Sequence, residues 1–128
     1  IFYDVAHNQA GIKSIRNTLK YLNAHKKVGL IILKEDKDID NIAHSLNGLF
    51  NELIVSTIPD SQLMGIKKLF NYLNKNNIKC KTVNPIEEAF KYMTNQAENG
   101  AISIIFGSHY AAKSIYKYFE INFDNVTI

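Results

Sequence analysis

Ile1-Phe2-Tyr3-Asp4-Val5-Ala6-His7-Asn8-Gln9-Ala10-Gly11 opens the chain with an apolar strand to Asp4, a polar loop and the start of a helix. From Gly11 to Ala24 the apolar residues Ile12, Ile15, Leu19 and Leu22 recur on one helical face, which is the face a core covers. Working outward, strands and helices go on alternating, without an internal repeat. Val28 to Leu33 is a continuous apolar run, as expected of a strand covered on both faces, and Lys34 to Asp40 carries the chain back to solvent. A short helix follows from Ile39 to Leu46. Phe50 to Thr57 reads as a strand ending at Ile58-Pro59-Asp60, and Leu63, Ile66, Phe70 and Leu73 mark a helix that stops at Asn76-Asn77. Ile78 to Val83 is a strand with a lysine-bearing exposed side; Asn84-Pro85 starts a helix through Ala89, Phe90 and Met93, broken at Glu98-Asn99-Gly100. Ala101 to Phe106 is the last apolar run, Ser108 to Phe119 the last helix, and Glu120 to Ile128 reads as an edge strand or a loose tail. Alternating β and α elements predict a Rossmann-like three-layer α/β sandwich in one domain, 1–128, with a mostly parallel sheet, right-handed crossovers and helices on both faces.

That architecture gives the first loop its interest. In an open parallel sheet the strand carboxyl ends and the following helix N-termini converge on one edge, exposing backbone N–H groups that suit phosphate. There Asp4 can accept bonds from ribose hydroxyls or reach a metal-bound water, His7 can bond phosphate or ribose oxygens, and Asn8 can donate and accept. Gly11 lets backbone and ligand approach closely. The plainer alternative stands beside this one: Asp4 or Asn8 caps the helix, and His7 is a turn residue.

A chain of 128 residues with 46% hydrophobic and 21% charged residues is the size of one domain with a substantial core. The net charge of +3 comes from scattered lysines, and the pairs Lys26-Lys27 and Lys67-Lys68 read as solvated helix ends or faces. No basic stripe interleaves with stacking aromatics, which disfavours nucleic acid and leaves anionic small ligands as the suited partners. A single cysteine, Cys80, supports neither a disulfide framework nor a multi-cysteine metal site and fits a reducing cytoplasm. No apolar stretch is long enough to span a membrane, and no signal-peptide pattern is present.

Two motifs carry more than pattern. Asp4-x-Ala6-His7-Asn8-x-x-Gly11 after an apolar strand resembles the signature that opens the C-terminal domain of folylpolyglutamate and dihydrofolate synthases, of the Mur ligase superfamily. About a hundred residues on, Ile102-Ser103-Ile104-Ile105-Phe106-Gly107-Ser108-His109-Tyr110 resembles that family's final strand and its Gly-Ser-x-Tyr turn. The family usually has proline where Gln9 stands, and a Val-Gly-Glu-Val-Arg-like helix where this chain has Ala111-Ala112-Lys113-Ser114-Ile115. The resemblance implies ATP-dependent addition of L-glutamate to a folate or dihydropteroate carboxylate through an acyl phosphate, with Mg2+, within folate biosynthesis and one-carbon metabolism. It implies that Asp4, His7, Asn8 and Ser108 face ATP or substrate, that Gly11 and Gly107 shape their loops, and that no metal ligand or confident catalytic residue lies in this segment. It also implies a preceding central ATPase domain that binds most of the ATP and Mg2+, an expectation that fits a chain starting at Ile1 and lacking Gly-x-x-x-x-Gly-Lys-Ser/Thr. The isolated domain is then expected to be inactive. A cyanophycin synthetase-like domain and a free-standing Rossmann-like module that holds a nucleotide or anion without catalysis are the alternatives.

Other residues read as structural. Ser56 and Thr57 fall on the same sheet edge, but a strand exit with Asp60 or Ser61 capping a helix explains them. Ser108 and His109 are sequence neighbours without the Gly-x-Ser-x-Gly elbow of a hydrolase. His25 and His44 read as surface histidines without metal spacing, and Asp36, Asp38 and Asp40 as a solvated turn lacking the glycine and glutamate of a calcium loop. Tyr110, Tyr116 and Tyr118 read as packing and surface aromatics, and Cys80 as a small hydrophobe.

Overall fold

The computed structural model describes residues 1–22, 25–59 and 62–119. Its elements alternate in chain order as β1 (Phe2–Asp4), α1 (Gln9–Lys20), β2 (Lys27–Ile31), α2 (Ile39–Leu46), β3 (Glu52–Val55), α3 (Ile66–Lys75), β4 (Lys81–Thr82), α4 (Ile86–Glu98) and β5 (Ile102–Phe106). A 3-10 turn, His109–Ala111, then leads into α5 (Ala112–Tyr118). The strands form one sheet in the order β1-β5-β2-β3-β4, every pairing parallel.

Strand alternation sorts the core into two layers. Ile31, Leu53, Val55, Ile104 and Phe106 point to one face, where Ile12, Ile15 and Leu19 of α1, Ile42 of α2 and Leu69 and Leu73 of α3 pack on them. Leu30, Ile54 and Ile105 point to the other and meet Ala89, Phe90 and Met93 of α4 and Ile115 of α5. The three-layer α/β sandwich expected from the sequence is therefore present, α1–α3 on one side and α4–α5 on the other.

The differences from expectation lie at element ends. β4 shrinks from Ile78–Val83 to two residues because the Ile78 N–H closes α3 on the Leu73 carbonyl, and only Lys81 and Thr82 are left for the ladder. α3 begins at Ile66 rather than near Leu63. Leu63 instead bridges Lys34, and the Met64 N–H donates to the Leu33 carbonyl at 2.7 Å, so this stretch is held by the exit of β2. The cap of α3 is Gly65, without a side-chain bond; Asp60 and Ser61, the expected caps, lie outside the described residues, as do Ala24 and the segment 120–128.

Lys26-Lys27 is not a helix end: Lys27 begins β2, and Lys26 enters a network at the amino edge of the sheet. There the Glu52 carboxylate takes Lys26 at 2.9 Å and Lys81 at 2.5 Å, and accepts from the Tyr92 hydroxyl. Burial pushes the Glu52 carboxyl up, but the hydrogen bonds from Lys81, Tyr92 and Lys26 outweigh it and hold the group down at about 2. The acidic turn is partly committed as well, with Asp38 capping α2, Asp36 facing Lys34 at 3.5 Å and Asp40 accepting from Asn76.

Candidate functional site

Adjacent strands whose connections leave to opposite faces open a crevice at their carboxyl ends. Here β5 is that strand. Its connection runs to α5 on one face, while those of its neighbours β1 and β2 run to α1 and α2 on the other. The carboxyl end of β5 carries Gly107 and Ser108, that of β1 carries Asp4 to Asn8, and the chain beyond β2 carries Lys34. The register sets Asp4 opposite Phe106, so the two sequence motifs, a hundred residues apart, lie side by side.

The β1 loop is fixed by its own short side chains. One oxygen of Asp4, Oδ1, accepts the Ala6 N–H at 2.8 Å; the other has no partner among the described residues and faces an exposed setting. His7 Nδ1 lies 2.8 Å from the Val5 carbonyl, and because a carbonyl only accepts, Nδ1 carries the proton. Neutral His7 thus presents Nε2 as an acceptor, while protonated His7 presents a donor. Asn8 is the cap of α1, its Oδ1 accepting the Gly11 N–H at 2.9 Å, which leaves its amide NH2 for other work. A Cβ at Gly11 would stand 2.9 Å from the Ala6 Cβ, so glycine lets the helix close against the loop.

The β5 loop is tighter. Gly107 holds a φ of 115° and a Cβ there would meet the Ile32 carbonyl oxygen at 2.3 Å, a place only glycine fills. Ser108 is 3% exposed, and its Oγ accepts the Tyr110 N–H at 3.1 Å. No described residue accepts its hydroxyl proton. His109 stacks on Tyr110 at 4.4 Å, so serine and histidine do not form a nucleophile–base pair.

Two residues here went unread in the sequence. Tyr3 donates its phenol to the Ser108 carbonyl at 2.7 Å, and burial, with the nearby Tyr116 and Asp4, pushes that phenol up to about 12, so it remains a donor at neutral pH. Lys34 sits 5.7 Å from the centre of the Tyr110 ring and adds a cation to the crevice wall. Its signal was its place directly after the apolar run of a central strand.

Ser56 and Thr57 do not join this group. Thr57 donates to the Met64 carbonyl at 3.0 Å, and Ser56 Oγ is buried without a partner among the described residues. His25 and His44 are exposed, and Cys80 is half-buried with its thiol pushed up by burial. Among the described residues no three of His, Cys, Asp and Glu gather as cation ligands, and no helix is long and apolar enough to cross a membrane.

No protein-family model matches the sequence, and no curated protein matches it. Solved structures do match in fold. The folylpolyglutamate synthase of Mycobacterium tuberculosis complexed with ADP and AMPPCP superposes with a TM-score of 0.79 at 21% identity, over 91% of this chain and 28% of that one. The FolC protein of E. coli in complex with ADP gives 0.78 at 17% identity, over 91% and 28%. A bifunctional folylpolyglutamate synthase/dihydrofolate synthase with Mn, AMPPNP and L-glutamate bound gives 0.77 at 19% identity, again over 91% and 28%. This chain therefore spans under a third of the length of those proteins, and at such identities the likeness is one of fold.

Proposed function

We propose that this chain is the C-terminal domain of an ATP-dependent carboxylate–amine ligase of the folylpolyglutamate/dihydrofolate synthase type, which adds L-glutamate to a folate or dihydropteroate carboxylate. The observation that carries the reading is the convergence of Asp4-Val5-Ala6-His7-Asn8 and Gly107-Ser108 on one crevice, in a fold shared with synthases whose structures hold nucleotide, glutamate and DHPP.

In this reaction a carboxylate oxygen attacks the γ-phosphorus of ATP and ADP leaves; the glutamate amine then attacks the acyl carbon and phosphate leaves. Little of that is covalent work for the protein, whose task is to position the groups and exclude water from the acyl phosphate. On this chain, the free oxygen of Asp4 accepts from the ribose hydroxyls. His7 accepts through Nε2 or, protonated, donates to a phosphate, and Asn8 holds its loop in register. Ser108 donates its hydroxyl proton to a phosphate or to the incoming glutamate carboxylate. Magnesium would neutralise charge on the phosphates, its ligands coming in this reading from the ATPase domain that we place ahead of this one.

The test reads the coding frame ahead of Ile1 for Gly-x-x-x-x-Gly-Lys-Ser/Thr and assays the complete product, in the cytoplasmic extract and purified, for glutamate-dependent ADP release with dihydropteroate and with a reduced folate. Turnover with either substrate, depressed at least about tenfold by Asp4→Ala and by His7→Ala without loss of folding, is the expected result. No glutamate-dependent turnover, or wild-type rates in both variants, overturns it.

A further inference from the structure

A cleft of about 540 Å³ runs between α1 and α2, away from the crevice. It is lined by Gln9, Lys13, Arg16, Asn17, His44 and Ser45. Three of these side chains are cations or become so by protonation, the others carry amides or a hydroxyl, and none is an acid. Arg16 is held in place by its Nη2, which donates to the carbonyls of Ser45 and Asn47, each at 2.8 Å, at the C-terminal end of α2. Its Nη1 and Nε N–H groups are left to donate single charge-assisted hydrogen bonds to an anion. Lys13 and His44 are exposed and make no hydrogen bond or ion pair with a described residue. The acids of α2 turn elsewhere: Asp38 caps its own helix and Asp40 accepts from Asn76. The cleft is thus a positively charged lining with no counter-charge of its own.

Its place matters as much as its charge. Gln9, at the upper end, follows Asn8 of the crevice directly, and at about 1.5 Å per residue the distance down α1 to Asn17 is about 12 Å. A single ion would not fill such a length; an extended chain bearing several anions would.

We infer that the α1–α2 cleft takes a polycarboxylate chain, namely the γ-linked glutamyl tail of the substrate or product, running out of the crevice past Gln9 to Lys13, Arg16 and His44. The inference rests on the ligase reading above, because a reaction that adds glutamate through an amide leaves one further carboxylate per cycle on the chain.

Tri-γ-glutamate, titrated into the 15N-labelled chain at low salt, tests it by NMR, with AMPPNP titrated separately. Saturable shifts at the amides of Lys13, Arg16, Asn17 and His44, with a Kd raised about fivefold in Lys13→Gln/His44→Gln, are expected, two exposed ion pairs contributing about that much. AMPPNP should shift Asp4 to Asn8 alike in both proteins. Absence of shifts in the cleft, or equal shifts from acetate at the same carboxylate concentration, overturns the inference; so does equal binding of α-linked triglutamate, which would mark a generic acidic-peptide surface. Nucleotide shifts without tail shifts sink the cleft alone, whereas absence of glutamate-dependent turnover by the complete product sinks the ligase reading and the cleft with it.

Discussion

Tyr3 and Ser108, 105 positions apart, are joined by a 2.7 Å hydrogen bond from the phenol to the serine carbonyl, which ties the edge strand β1 to the loop leaving β5. The bond links the two halves of the crevice, so the geometry between Asp4 and Ser108 depends on it. Tyr3→Phe should cost about 1 kcal/mol in urea unfolding and speed amide exchange from Gly107 to Tyr110 while leaving α3 unchanged.

The same phenol gives an alkaline signature. The unfolded chain releases the proton near the ordinary value of 10.0, whereas the folded protein keeps it to about 12, so the folded state binds more protons across that window. Stability is then full below pH 10 and falls as pH rises toward 12. Lys68 and Lys81, raised by their bonds to Glu35 and Glu52, fall in the same direction, so the Tyr3 share is the difference between wild type and Tyr3→Phe. Equal slopes in the two proteins above pH 10 would remove the assignment.

At the opposite edge, Glu52 sets the acid limb. Its folded value of about 2 lies below the ordinary 4.5, so its stabilisation is present above pH 4.5 and lost as pH falls through 2. Glu52→Gln should cost about 1 kcal/mol at neutral pH and flatten thermal stability between pH 4.5 and 2, because Lys26 and Lys81 are left without their carboxylate; their own exposure keeps the figure small.

Gly107→Ala adds a Cβ 2.3 Å from the Ile32 carbonyl oxygen at a φ of 115°, and the obstacle is backbone that cannot swing aside. A loss above about 2 kcal/mol is expected in chemical denaturation. Gly65→Ser, with nothing within 4 Å and a cap position that lacks a side-chain acceptor, should instead gain a few tenths of a kcal/mol.

The contrast between these positions explains what the sequence made legible. Helices and strands announce themselves through local period: Ile12, Ile15 and Leu19 mark the buried face of α1, and Ile102 to Phe106 mark a central strand. The two loop motifs fell on one sheet edge because crossover rules place every strand's carboxyl end there. What stayed hidden depends on which strand lies next to which. β5 inserts between β1 and β2, and that step alone brings Tyr3 to Ser108 and Lys34 to Tyr110. The Glu52 network likewise collects Lys26 from just before β2, Lys81 from β4 and Tyr92 from α4, none periodic with another.

Asn8 separates structure from ligand binding most cleanly. As the cap of α1 it satisfies the Gly11 N–H, and Asn8→Ala should lose about 1 kcal/mol of stability. Asn8→Asp keeps a carboxyl oxygen in the capping position, so stability should hold. It also replaces the amide NH2 with negative charge beside the place assigned to phosphate. If the crevice holds a nucleotide as proposed, Asn8→Asp should therefore fold like wild type and yet bind AMPPNP at least about fivefold more weakly, with the deficit shrinking as salt rises. An unchanged affinity in a stable Asn8→Asp protein would restrict Asn8 to its cap and move the phosphates away from the N-terminus of α1.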